Sequence, residues 1–172
     1  MTRNDPKSAP ALFLMAGLLT IGSSAALADT KVYQADSVCR GALLPTLSTG
    51  VLANLSKFNP ATVYCAINRD RTDQKPTLVQ VAVIDSSSLL IGDGNFNCNL
   101  IPVSRTGVEG TPGGSAVTSG VNSAGQILTV PLPAVVPTDA TLTLKCKVPR
   151  RGVADFSSVV ASIKIVEPDP TN

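Results

Sequence analysis

The sequence predicts an all-β protein: a single disulfide-stabilised β-sandwich of about seven to eight mostly antiparallel strands. Three observations lead there. Apolar and polar residues alternate with period two in several short runs, turn signals separate those runs, and four cysteines lie in or beside them. No segment shows convincing amphipathic-helix spacing in their place.

The chain begins with a leader. Arg3 and Lys7 precede the apolar run ALFLMAGLLTIG, and SSAALA places Ala26 and Ala28 before Asp29. This is the charged, apolar and small-residue order of a secretory signal peptide, with cleavage expected between Ala28 and Asp29. The apolar run is 12 residues long, short of the roughly 20 that span a bilayer. Residues 1–28 are therefore read as leader and 29–172 as one β-sandwich domain, exported to the periplasm or the medium.

The strands follow in order. VCRGALLP around Cys39 reads as an irregular lead-in, and GVLANLS (50–56) as a weak strand or a helical turn. ATVYCAIN and QILTVPL are rich in β-branched residues. TLVQVAVID puts Val79, Val81 and Val83 on one face, and NFNCNL does the same with Phe96, Cys98 and Leu100. TLTLKCKVP (141–149) is the clearest case, with Leu142, Leu144, Cys146 and Val148 opposite Thr141, Thr143, Lys145 and Lys147. SVVASIKIVE groups Val159, Ala161, Ile163 and Ile165. Asn59-Pro60, Lys75-Pro76, Gly92-Asp93-Gly94, PLPAVVPTD and Arg150-Arg151-Gly152 break the runs. Residues 104–120 read as a mobile surface loop.

Composition narrows the chemistry. The chain has no His and no Trp, which removes Ser-His and Cys-His nucleophiles and His-containing zinc sites. Taking Arg3, Lys7 and Asp5 from totals of 14 basic and 12 acidic residues leaves 12 against 11 after cleavage. Nothing in that balance favours nucleic acid, and no second segment suggests a membrane span. Five aromatics remain, Tyr33, Phe58, Tyr64, Phe96 and Phe156, too few to favour stacking sites. No cofactor motif is present. Asp93-x-Asn95-x-Asn97 matches the start of a calcium loop, but Ser104 stands where that loop needs Glu, and a hairpin turn at Asp93-Gly94 accounts better for it. Asn54-Leu-Ser56 fits a glycosylation sequon.

Cys39, Cys65, Cys98 and Cys146 lack C-x-x-C spacing and read as two disulfides of an oxidising compartment. Val63 and Ile67 share the face of Cys65, which argues against a reactive thiol there. The expected pairing is Cys39–Cys65 and Cys98–Cys146. Loop length barely separates the three pairings of four cysteines. Strand geometry makes the choice: Cys98 and Cys146 face inward on amphipathic strands, side by side or across the sandwich. Cys65 is the nearest strand cysteine to Cys39.

The ordered set ANLS (53–56), VYCAINRD (63–70), VQVAVID (79–85), FNCNL (96–100), LTLKCKVP (142–149) and SIKIVE (162–167) resembles a group of small exported bacterial proteins of unassigned function. Ala66 departs from the proline common after that cysteine. The resemblance implies export and a β-sandwich, and brings no catalytic residue or ligand.

The sequence thus points to an exported, non-enzymatic β-sandwich with a structural or interaction role and an unidentified protein or surface partner. Two rivals are a hydrolase using Asp70, Asp73, Asp85 or Asp93, or Ser/Lys chemistry, and a fimbrial or adhesin subunit assembled by strand exchange. Binding surfaces are expected on loops 68–75 and 104–117.

Overall fold

A computed structural model describes residues 28–41, 49–70, 74–86, 94–120, 122–151 and 157–168. Residues 1–27, within the expected leader, and Asp73 and Asp93 lie outside the described residues. The described residues form ten strands and one helical turn: β1 (Asp29–Gln34), α1 (Ala35–Val38), β2 (Cys39–Gly41), β3 (Leu52–Asn54), β4 (Ala61–Ile67), β5 (Leu78–Asp85), β6 (Asn97–Val103), β7 (Ala116–Val117), β8 (Asn122–Thr129), β9 (Thr141–Val148) and β10 (Ser158–Glu167).

The strands form two antiparallel sheets. Sheet A runs β1-β10-β5-β8, with β3 also pairing β10; sheet B runs β2-β4-β9-β6-β7. Alternation makes this a sandwich, since each sheet has one apolar face to bury. Val79, Val81, Val83, Ile163 and Ile165 from sheet A meet Val63, Phe96, Leu100, Leu142, Leu144 and Val148 from sheet B, all at 0–1% exposure.

Both disulfides lie within sheet B. Cys39 opposes Cys65 across β2 and β4, and Cys98 opposes Cys146 across β6 and β9. Their Cα separations are 3.8 and 4.1 Å. Side by side, not face to face, is the arrangement. Cys65 is neither free nor a metal ligand.

Several expectations are corrected. The lead-in at Cys39 is strand β2, because its backbone pairs with β4. The weak strand read in GVLANLS is β3, and the alternative helical turn is not formed there. In β10 the register slips between Val160 and Ser162; this bulge turns Ala161 outward, so Val160 joins Ile163 and Ile165 in the core. The hairpin expected at Asp93-Gly94 falls partly outside the described residues; β5, which ends before it, belongs to sheet A, and β6, which follows it, to sheet B. Segment 104–120 is tied to β6 by Gly110 N–H to Pro102 O at 2.7 Å and Gly113 N–H to Leu100 O at 2.8 Å. A Cβ on Gly113 would sit 2.3 Å from the Pro131 carbonyl oxygen, so only glycine allows that approach.

Buried polar groups lock the connections. Asn54, fully buried, donates to the carbonyls of Asn59, Val148 and Pro149 and accepts from Ser56 N–H at 3.0 Å. That side chain is occupied, which removes the sequon reading for the folded protein. Asp85 is likewise buried, accepting from Phe96 N–H at 3.2 Å and from the Thr118 hydroxyl.

Candidate functional site

The outer face of sheet B is the most developed polar surface described. β4, β9 and β6 are adjacent and in register, so each outward side chain has a fixed neighbour. Thr62, Lys147 and Asn97 make one row; Tyr64, Lys145 and Asn99 make the next. Arg40 on β2 extends the second row past Tyr64. The rows form the floor of an open groove of about 330 Å³, lined by Thr62, Asn97, Asn99, Ser115, Lys145 and Lys147.

The electrostatics of this face are one-sided. The five strands of sheet B hold three cations, Arg40, Lys145 and Lys147, and no Asp or Glu. Lys145 and Lys147 lie two residues apart on the same face, about 6.5–7 Å along the strand. Neither has a carboxylate partner among the described residues. Lys145 Nζ instead lies 5.5 Å from the ring centroid of Tyr64, a contact that orients the ammonium without neutralising it. The Cys98–Cys146 bridge lies directly behind the groove and joins β6 to β9, the two strands that carry its lysines and asparagines. Such a floor favours an anion and offers amide and hydroxyl groups to hydrogen-bond a polar ligand.

The sequence-derived carboxylates are placed elsewhere, and apart. Asp70 follows β4, near the β5 end that begins at Leu78; Asp85 closes β5. An eight-residue strand separates these ends by more than about 20 Å at its usual rise. Asp70 joins Asp29 and Glu167, with one oxygen of each within 4.8 Å of the others. Lys31 Nζ sits among them, 3.1 Å from Glu167 Oε2, 3.9 Å from Asp29 Oδ2 and in contact with Asp70. Burial works to lower the Lys31 pKa, but its hydrogen bonds and charge interactions with Asp70 and Glu167 prevail and hold it well above the ordinary lysine value. Desolvation lowers that of Arg69 against the opposing pull of Glu167. Arg69 donates to the carbonyls of Gln74 and Ala140, and Tyr33 donates its hydroxyl proton to Asn68 O at 3.2 Å. This cluster closes one end of the sandwich. It pins the start of the expected solvated loop 68–75.

A second groove, about 380 Å³, runs over the outer side of sheet A between Ala82, Ile84, Ala124, Ile127 and Ala161. It is apolar and lies outside the sandwich, not between the sheets where a donated strand enters. From 104–117, Ser115 reaches the groove on sheet B. Lys145, Lys147, Asn97 and Asn99 were legible only as a solvent face, because their grouping depends on the β6–β9 register.

No family model and no curated protein matches the chain. Solved structures do. A family two carbohydrate esterase from Cellvibrio japonicus aligns at TM-score 0.49 and 9% identity, over 84% of this chain and 37% of the esterase chain. The xylan-binding module CBM15 aligns at 0.49 and 13%, over 81% and 97%. The CBM36-1 domain of a multidomain xylanase from the hindgut metagenome of Trinervitermes trinervoides aligns at 0.46 and 13%, over 80% and 96%. The chain thus spans little more than a third of the esterase's length. At these values, the ligands and activities of those proteins do not transfer to this chain.

Proposed function

We propose that this chain is an exported, non-catalytic binding module that takes acidic polysaccharide on the outer face of sheet B. The observation that carries the reading is the sheet's charge pattern: three cations beside Asn and Thr side chains, with no carboxylate on any of its strands. Ammonium groups pair with uronate or sulfate; amides and hydroxyls hydrogen-bond sugar hydroxyls. The groove is open, so a polymer crosses it without threading. Tyr64, 44% exposed and beside Lys145, is the one aromatic on these strands, and recognition rests mainly on charge and hydrogen bonds.

Export rests on the leader and is supported by two buried disulfides, which persist in oxidising compartments. Kinship with the small exported β-domain proteins belongs to the same proposal. A non-catalytic role is supported by the distance between Asp70 and Asp85 and by the bonds each already makes. Electrophoresis of the native protein through gels containing polygalacturonate tests the reading. Migration should be retarded there and not in neutral β-glucan gels, and Lys145→Gln with Lys147→Gln should restore it. Equal retardation by both polymers, or by neither, overturns the proposal.

A further inference from the structure

The acidic cluster at the sandwich end is incomplete among the described residues. Glu167 is 2% exposed. Its Oε2 accepts from Lys31 Nζ and from Asp70 N–H, both at 3.1 Å, while Oε1 has no hydrogen-bond partner among the described residues. A buried carboxylate oxygen without a donor is rare and calls for an explanation. Charge points the same way. Asp29, Asp70 and Glu167 bring three carboxylates together, and the cations beside them are Lys31 and Arg69. Among the described residues, one negative charge is left over. A divalent metal ion is a poor candidate to balance it, because the Lys31 ammonium already sits among the three carboxylates.

The register supplies a better candidate. Asp29 is the first residue of β1 and lies directly opposite Glu167, the last residue of β10. Opposed Cα atoms in an antiparallel pair are about 4.5–5.5 Å apart, and the backbone nitrogen of Asp29 is about 1.5 Å from its own Cα. The same residue follows the A-x-A site at Ala26 and Ala28.

We propose that the amino group of Asp29, freed by cleavage after Ala28, is the missing partner of Glu167, so that removal of the leader completes the ion cluster closing this end of the sandwich. The step is hydrolysis by a signal peptidase. The Ala28–Asp29 C–N bond breaks, water gives its hydroxyl to the Ala28 carbonyl carbon, and its proton goes to the Asp29 nitrogen. At neutral pH that amine takes a second proton from solvent and becomes an ammonium with three donors. Three cations then face three carboxylates.

The proposal rests on the cleavage position and not on the glycan reading. The groups facing the new amine are Asp29 and Lys31 on β1, Glu167 on β10, and Arg69 and Asp70 after β4. An α-amine ordinarily titrates at about 7.7–8.0, and a buried carboxylate partner raises that value. The stabilisation is then full below the ordinary value and lost as pH rises through the raised one.

The test uses protein recovered after export. Mass spectrometry first fixes the amino terminus, and the Asp29 Cα and Hα shifts are then followed by NMR from pH 6 to 11. The wild type should start at Asp29 and titrate at least one pH unit above the ordinary value. Glu167→Gln should return the midpoint to it. A different terminus, an ordinary midpoint, or a raised midpoint that survives Glu167→Gln overturns the proposal. Selective acetylation of the α-amine is the second arm, and it leaves every side chain in place. It should lower Tm by several degrees, and an unchanged Tm contradicts the assignment even if Glu167→Gln fails to fold.

Discussion

Replacing Cys98 and Cys146 together by alanine removes the bridge behind the groove, and its cost follows from the topology. The bridge closes a separation of 48 residues, for which the chain-entropy relation gives about 4 kcal/mol. Cys39–Cys65 closes 26, giving about 3.5 kcal/mol. The two loops do not overlap, so their sum, about 7.5 kcal/mol, is large beside the roughly 5–15 kcal/mol that holds a typical domain. In the folded state, β6 and β9 remain joined at seven register positions, Asn97↔Lys147 to Val103↔Thr141. The loss therefore acts mainly through the unfolded chain, and the native surface stays as it is. With an m-value near 2 kcal/mol/M in urea, the midpoint should fall by about 2 M. A fall below about 0.5 M at unchanged m would refute the reasoning. The matching Cys39→Ala, Cys65→Ala pair should cost slightly less globally. It should also speed amide exchange in residues 29–41, since β2 has three residues and pairs with β4 alone.

Other outcomes follow from buried groups. Asn54→Ala removes four hydrogen bonds and should cost about 4 kcal/mol at about 1 kcal/mol each, read as a loss in urea midpoint. Asp85→Ala strips the acceptor from Phe96 N–H and the Thr118 hydroxyl; destabilisation by about 2–4 kcal/mol is expected, with a hydrolase screen flat before and after. Lys31 has its pKa raised in the fold, so its contribution is complete below the unfolded value of about 10.4 and declines as pH rises through the folded one. Lys31→Met should flatten that decline in denaturation curves taken from about pH 10 to 12, and an unchanged slope would contradict the ion cluster.

Much of the fold was legible because long strands carry their own periodicity. Val79, Val81 and Val83 on β5, and Leu142, Leu144, Cys146 and Val148 on β9, all face the core as their spacing requires. The short strands were scarcely legible: β2 read as an irregular lead-in and β3 only as a weak strand or a helical turn. β2 and β3 have three residues each, too few for a period, and pairing with a neighbour defines them. β1 is an edge strand with Val32 63% exposed, so its apolar pattern is broken. The bulge at Ala161 reflects how β10 pairs with both β3 and β5, which no local stretch encodes. The groove was half legible. Lys145 and Lys147 were correctly turned outward, but their meeting with Asn97 and Asn99 is a tertiary fact. So is the meeting of Asp29 with Glu167, from opposite ends of the domain.

The most direct test of the binding account is isothermal titration of the oxidised protein with oligogalacturonate and with a neutral oligosaccharide of equal length. Binding should be confined to the acidic ligand and should weaken as salt rises from 50 to 500 mM, because exposed charges are screened. Two exposed ion pairs at about 0.5–1 kcal/mol each make Lys145→Gln with Lys147→Gln about 5–30-fold weaker. Affinity for the neutral ligand equal to that for the acidic one, or acidic binding untouched by both substitutions, would contradict the account.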